Sequence, residues 1–356
     1  MARYSSIDTL RGLTVAAMLL VNNAGDWDHV YPWLEHAEWN GCHPADFIFP
    51  FFLLIVGVSL SLALSSITAP KPGAVIDLAK AKKSVVLRGG RIILLGIALH
   101  VIAMLLIDGR AFRLFGVLQR IGICFSVVGL VHLTFQSARI QWGIIAAILI
   151  GYWALLRGVY VPGLNLADKV DTALLGKLAY QFDPATKLAH DPEGILSTLP
   201  SIATVLLGVR AGEWLRRGQL RHLLIAGVVA IALGGLWSLD MPLNKQLWTS
   251  SFVLWTGGFG ILALCLMHYL IDQKNWPAIG RSFGINAIAA YAGSWIGICI
   301  LYGTGLFEVI YQRGVAPLFA TSVSPEFASM MFSIGFTSVF ALILKIMARR
   351  GWRIVI

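Results

Sequence analysis

Along the chain, long apolar runs alternate with short polar, basic or aromatic connectors. A helix that crosses a bilayer needs roughly 17–25 mainly apolar residues. Runs of about that length lie at 9–25, 45–66, 85–107, 112–135, 140–157, 196–215, 221–239, 250–271, 283–304 and 326–348. The pattern predicts an all-α fold: a polytopic transmembrane helical bundle of about ten spans, forming one domain over residues 1–356. The first run, Gly12 to Val21, is short and follows arginines, as the core of a signal peptide would. The Asn22-Asn23-Ala24-Gly25 that follows is a poor cleavage site, so the run reads as a retained helix.

Two connectors are longer than their neighbours require. Residues 67–84 are basic, and a surface helix is expected around Ala74–Lys83. In residues 158–195, the segment Asn165–Leu178 places Leu166, Val170, Leu174, Leu175 and Leu178 at helical spacing, which predicts an interfacial helix. No internal repeat, low-complexity tract or second soluble domain is visible.

Composition agrees with the pattern. Hydrophobic residues make up 57% of the chain and charged ones 13%. That is about half the charged fraction of a soluble domain, roughly 25%. Mean hydropathy is +0.76. The net charge of +10 could indicate nucleic acid, but the basic residues sit between apolar runs and form no aromatic-interleaved patch. With the N-terminus placed inside, 19 of the 28 Lys and Arg fall on the cytoplasmic side, Arg3 and Lys71 among them, 8 fall outside, and Arg120 is left within a span. This asymmetry fits both termini inside and an even number of spans. Cys124, Cys265 and Cys299 lie in apolar runs and Cys42 in a loop, with no zinc or disulfide spacing.

Candidate chemistry concentrates in the first outer loop, residues 25–45, together with Asp46. Gly25 to Asp46 holds three of the eight histidines, five acids and three tryptophans, but no Lys or Arg. An interfacial aromatic belt explains the tryptophans but not the histidines. A histidine beside a carboxylate is a candidate general base. A metal site built from His36 and His43, or from His29 with Asp26 and Asp28, matches no defined spacing, and no metal is expected. Within the spans, Asp46 and Arg120 are costly charges near outer helix ends. They are expected either to pair with each other or to line the pocket of the histidine loop. Asp191-Pro192-Glu193-Gly194 reads as a helix start, Pro242 to Thr249 as an outer connector, and Asn286 and Tyr291 as packing groups.

Several segments together carry a resemblance. They are Ser6-Ile7-Asp8-Thr9-Leu10-Arg11-Gly12; Val21-Asn22; His36-Ala37-Glu38-Trp39-Asn40-Gly41 with Asp46 and Phe49-Pro50; Gly116-Val117-Leu118-Gln119-Arg120-Ile121-Gly122; Asp191-Pro192-Glu193-Gly194; Pro242-Leu243-Asn244-Lys245; and Asn286 with Tyr291-Ala292-Gly293. In this order, over nearly the whole chain, they resemble the transmembrane acetyltransferase family of heparan-α-glucosaminide N-acetyltransferase, in a compact bacterial form. The opening Asp-x-x-Arg-Gly alone occurs in other membrane acyltransferases too. The sequence starts almost at the first span, without the large extracytoplasmic N-terminal domain of the lysosomal enzymes. That departure widens the expected acceptor to glucosamine, a small oligosaccharide or a cell-envelope sugar.

The resemblance implies acetyl-CoA as donor and a glucosamine-type amino group as acceptor, on the extracytoplasmic side. It places the active-site histidine on His36, the nearby asparagine on Asn22 and the span-two aspartate on Asp46. His36 would take the amine proton, with Asp46 or Glu35 orienting its ring and Asn22 donating to the oxyanion. Alternatively His36 would itself carry the acetyl group. Arg120, Lys245 and Arg11 are the expected CoA-binding cations, and Trp39, Asn40, Glu193 and Asn286 the expected substrate-binding residues. The expected partners are the lipid bilayer, acetyl-CoA, an amino sugar or oligosaccharide and, as an assembly, a second copy in a homodimer, in the cell (inner) membrane. The competing class is a multispan sugar or organic-acid transporter, which would not consume acetyl-CoA.

Overall fold

The computed structural model describes residues 4–70 and 76–354. The long helices in chain order are α1 (Ser5–Asn22), α2 (Ile48–Ala63), α3 (Leu78–Leu106), α4 (Val117–Thr134) and α5 (Ala138–Leu156). A short α6 (Leu166–Leu174) precedes α7 (Thr198–Arg216), α8 (Leu220–Trp237) and α9 (Ser250–Met267). A one-turn α10 (Arg281–Ile285), then α11 (Ala287–Gly303) and α12 (Pro325–Arg349), complete the bundle. Seven of the described helices are long and apolar enough to cross a membrane: α2 with the turn before it, α3, α4, α5, α8, α9 with its π-helical extension, and α12. An eighth is added if α11 and the segment Glu308–Phe319, bent from it by 80°, count as one span.

Each of the ten apolar runs contains a long helix. Those of α1 and α7 are as long as the rest but carry Asp8 and Arg11, or Arg210, Glu213 and Arg216. Both helices can afford polar faces because protein surrounds much of them. Nearly every residue of α7 from Thr198 to Leu215 is buried. α7 crosses α2 where two glycines meet. A Cβ at Gly57 would collide with the Val205 carbonyl, and one at Gly208 with the Leu54 carbonyl. Such contact lets backbones approach and gains dispersion where lipid offers no hydrophobic drive. Where the end of α4, the start of α5 and the end of α7 meet, Arg210 bonds Glu213 (2.7 Å) and Gln141 (3.3 Å), and Gln141 bonds His132 (3.0 Å), so these polar groups are paired inside the protein.

The basic connector differs from expectation. Arg3, Lys71 and the start of the segment Ala74–Lys83 lie outside the described residues. From Leu78 onward the chain is not a separate surface helix but the first turns of α3, capped by Asp77, which accepts from the Lys80 amide (2.8 Å). The span expected from 112 begins at Val117, because residues 110–116 form an extended connector that carries Arg113.

The excursion between α5 and α7 contains α6, a 3-10 turn Gly176–Leu178 and a two-stranded antiparallel ribbon. In the ribbon, β1 (Gln181–Phe182) pairs with β2 (Ala189–His190), Gln181 facing His190. Asn165 caps α6 by accepting from the Asp168 amide (2.9 Å). The helix is where the leucine spacing put it, but Leu166 and Leu174 face outward while Asp168 and Asp171 are buried. Leu175, just past the helix, packs inward against Leu114, Phe115 and Ile195, so the segment shows only part of its apolar set, and the carboxylates point into the protein.

Candidate functional site

The loop between α1 and α2 is tied at both ends. At its start, Ser333 of α12 donates to the Asn23 carbonyl (2.9 Å), and Ser329 joins the backbone of Asp26 (2.9 Å). Trp27 and Trp33 are exposed, as a belt requires, whereas Trp39 turns inward. At the loop's end, Pro44–Phe47 forms a 3-10 turn whose Asp46 is fully buried.

Asp46 organises the segment. One of its oxygens accepts the Ala37 (3.1 Å) and His43 (2.9 Å) backbone amides. The other lies 2.8 Å from His36 Nδ1 and 3.6 Å from Lys245 Nζ. A carboxylate can only accept, so Nδ1 carries a proton, and in the neutral ring the lone pair is on Nε2. The His36 side chain is 38% exposed, which leaves Nε2 open to a ligand. Glu35 does not share this role; its carbonyl accepts from His43 Nδ1 (3.2 Å). Burial, reinforced by Asp46, pushes the Cys42 thiol up to about 12, so it stays protonated and is a poor nucleophile.

The connector between α8 and α9 closes over this loop. Gly41 donates to the Leu243 carbonyl (2.8 Å) and Asn244 to the Asn40 side chain (3.1 Å). Burial lowers the Lys245 pKa, while Asp46 and Glu193 pull it back. Trp248 holds a left-handed backbone (φ 53°), a strained state for a large side chain. There its indole donates to Thr204 (3.1 Å), and its ring lies 5.2 Å from the Arg120 guanidinium.

Arg120 is fully buried on α4. It does not pair with Asp46; it donates to the Ser197 hydroxyl and, at 3.5 Å, to the Gly194 carbonyl. Its Nε and Nη1 have no protein partner. The acidic motif has a cation that the sequence reading overlooked. Arg113 grips Asp191 with two hydrogen bonds (2.5 and 3.1 Å) and also bonds Glu193. Burial would raise the Glu193 pKa, but the charges of Arg113 and Arg120 hold it below the usual carboxylate range. Gly194 is needed beside this motif, because a Cβ there would meet the Asp171 carboxylate.

His36, Asp46, Lys245, Trp39 and Asn40 thus gather in one place, with Glu193 within charge range of Lys245, Arg113 and Arg120. Asn22 ends α1, exposed, with no hydrogen bond to His36. Two expected residues lie elsewhere. Arg11 bonds Ser59 (2.6 Å) and the Gly284 carbonyl (3.1 Å), about 16 Å along α1 from Asn22 at 1.5 Å per residue. Asn286 bonds the backbone of Trp352 and Ile354 (3.2 Å each), which fixes the C-terminal segment. Besides Arg113, the sequence reading missed Asp168, His190 and Gln246. His190 lies 2.6 Å from Asp168 and 3.2 Å from Gln246, and its ring is 5.4 Å from that of Trp39. Its only sequence signal was a histidine directly before Asp191. Among the described residues no cluster of three or more His, Cys, Asp or Glu is arranged to hold a metal.

Seven or eight helices long and apolar enough to cross a bilayer mark a multi-pass membrane protein, and a histidine–carboxylate pair joins its first long loop to α2. The chain belongs to the family described as heparan-alpha-glucosaminide N-acetyltransferase, catalytic, whose model matches residues 3–247. It is 28% identical to the heparan-alpha-glucosaminide N-acetyltransferases of Homo sapiens and Mus musculus, over 82% of this chain in each case. The matches cover 52% and 53% of those proteins, so the chain spans about half the length of these relatives.

Proposed function

We propose that the protein is a membrane-bound acetyltransferase that moves acetyl from acetyl-CoA to the amino group of a glucosamine-type sugar on the extracytoplasmic side of a cell membrane. The observation that carries this reading is the His36–Asp46 pair, placed in a catalytic family with Nε2 free. An ammonium has no lone pair, so the acceptor must lose a proton as it attacks. His36 Nε2 takes that proton, Asp46 holds the ring and stabilises the imidazolium, and the CoA thiolate leaves. The amide of Asn22, which makes no hydrogen bond among the described residues, is the donor for the oxyanion. Arg120 keeps two free donors, and with Lys245 it faces the CoA phosphates. Trp39 and Asn40 line the acceptor side.

The same reading takes α1 and α7 as spans and the bent α11 segment as one more. That gives ten in a single domain, with both termini cytoplasmic and His36 outside. The family is catalytic, so transport is not favoured.

The test is purified protein in detergent, radiolabelled acetyl-CoA and glucosamine, beside a folded His36→Ala variant. Labelled N-acetylglucosamine from the wild type, reduced about 10²–10⁴-fold in the variant, is the expected result. Failure with glucosamine and with amino-sugar oligomers, and no binding of acetyl-CoA, overturns the reading. Acetyl trapped on His36 would show the two-step route; its absence with sequential kinetics would show direct transfer.

A further inference from the structure

The excursion between α5 and α7 touches the His36 segment at two points. The Trp39 indole donates to the Tyr160 carbonyl (2.5 Å). On the other side, His190 reaches Asp168 through Nδ1 (2.6 Å) and Gln246 Oε1 through Nε2 (3.2 Å), and Gln246 Nε2 donates to the Glu38 carbonyl (3.5 Å). Asp168 is itself fixed, because its second oxygen accepts from the Gly163 amide and the Asn165 side chain (2.6 Å each).

We infer that Asp168, His190, Gln246 and the Glu38 carbonyl form a strut that positions His36, and that the strut is whole only while His190 carries both ring protons. This inference rests on the acetyltransferase reading for its catalytic consequence. Its chemistry follows from the donor and acceptor inventory. A carboxylate oxygen and an amide oxygen only accept, so both imidazole nitrogens must donate. A neutral His190 has one N–H. If Nδ1 keeps it, the Nε2 lone pair faces the Gln246 oxygen. Turning the Gln246 amide repairs that contact but sets its oxygen against the Glu38 carbonyl. Loss of one proton therefore breaks the chain at one bond or the other.

The surroundings favour the charged form. Burial alone would lower the His190 pKa, but the hydrogen bond and charge of Asp168, the Gln246 contact and the charge of Asp171 raise it above the usual histidine value. Asp168 and Asp171 are the charged groups facing it, both from α6; its neighbours on the other elements, Trp39 and Gln246, are neutral. His190 touches the path to Glu38 and not the reacting atoms, so it is a positioning residue. Misplacing a catalytic group slightly costs up to about a hundredfold in rate.

The experiment uses the full chain in lipid nanodiscs, with two readouts across pH 6–10 (the range spans roughly the titration of a raised histidine). One is kcat for acetyl transfer. The other is amide hydrogen exchange of residues 35–39, corrected for intrinsic base catalysis. In the wild type, kcat falls about tenfold or more on the alkaline side at unchanged KM for acetyl-CoA, and exchange at 35–39 quickens over the same pH interval. His190→Gln and Gln246→Glu, which leave the chain one donor short, exchange fast at every pH and lose that alkaline step. Variants with the wild-type profile in both readouts, or wild-type exchange that ignores pH, overturn the strut. A pH-linked exchange step in a protein that transfers no acetyl supports the strut and rejects the acetyltransferase reading.

Discussion

At the residue scale the site turns on Asp46, which bonds one ring nitrogen and two backbone amides from a fully buried position. Asp46→Asn keeps the shape but replaces an acceptor-only group with one that also donates. The amide can then donate to His36 Nδ1 and impose the opposite tautomer. Turnover should fall about 10²–10⁴-fold with KM for acetyl-CoA little changed, as read from initial rates at saturating acceptor. A variant within twofold of wild type would show that the carboxylate does not set the tautomer. Much of the site was legible here: a histidine-rich loop without cations marked the place, and the resemblance picked out His36 and Asp46. The Asp46–Arg120 pairing was not legible, and it is absent. Sequence depth along two helices says how far each charge lies in the membrane, but not which face of its helix it occupies. Arg120 turns to Ser197 and Gly194, while Asp46 turns to His36 and Lys245.

At the element scale the excursion between α5 and α7 is the part that sequence described least well. Helical spacing found α6 and predicted an interfacial helix, but it did not show that Asp168 and Asp171 are buried. Amphipathicity gives two faces and leaves open which one meets protein; here carboxylates are taken in because Asn165, Ile195 and His190 supply partners. Burial pushes the Asp171 carboxyl up to about 6 from 3.8. A group whose folded pKa is raised stabilises the fold fully below its unfolded value, and that contribution is lost as pH rises through the folded value. The shift corresponds to something on the order of 3 kcal/mol. His190, also raised, continues the loss above the ordinary histidine range. The excursion should therefore loosen as pH climbs from about 4 through 6 and beyond. Hydrogen exchange of residues 163–175 at pH 5 and 8 checks this, and Asp171→Asn should remove the lower part of the change. Equal protection at both pH values, in wild type and variant alike, would contradict it.

At the scale of the whole molecule, the apolar runs predicted the helices within a few residues, apart from the start of α3 seven residues early, because each lipid-facing helix must be apolar over the hydrocarbon thickness. α1 and α7 meet that demand least and are the most instructive. Their Arg11, Arg210 and Glu213 find protein partners, which is why the proposed ten-span arrangement counts them as spans although their composition does not mark them as such. The proposed orientation predicts that Lys177→Cys, in a Cys42→Ser background, reacts with an impermeant maleimide on intact cells, and that Lys80→Cys reacts only after permeabilisation. The reverse labelling would invert the topology and move His36 to the cytoplasm.

The hydrogen bonds from Ser329 and Ser333 to the start of the His36 loop have a consequence for biosynthesis. The chain emerges from the ribosome N-terminus first, so the His36 loop is made long before the residues that restrain it. Tyr160 and His190 arrive midway, Asn244 and Gln246 later, and α12 near the end. Residues as far as Gln246 can assemble the dyad and its clamp, but the loop stays tethered at one end only until α12 inserts and its serines reach Asn23 and Asp26. Activity should thus appear only once α12 has been made and its serines have fastened the His36 loop.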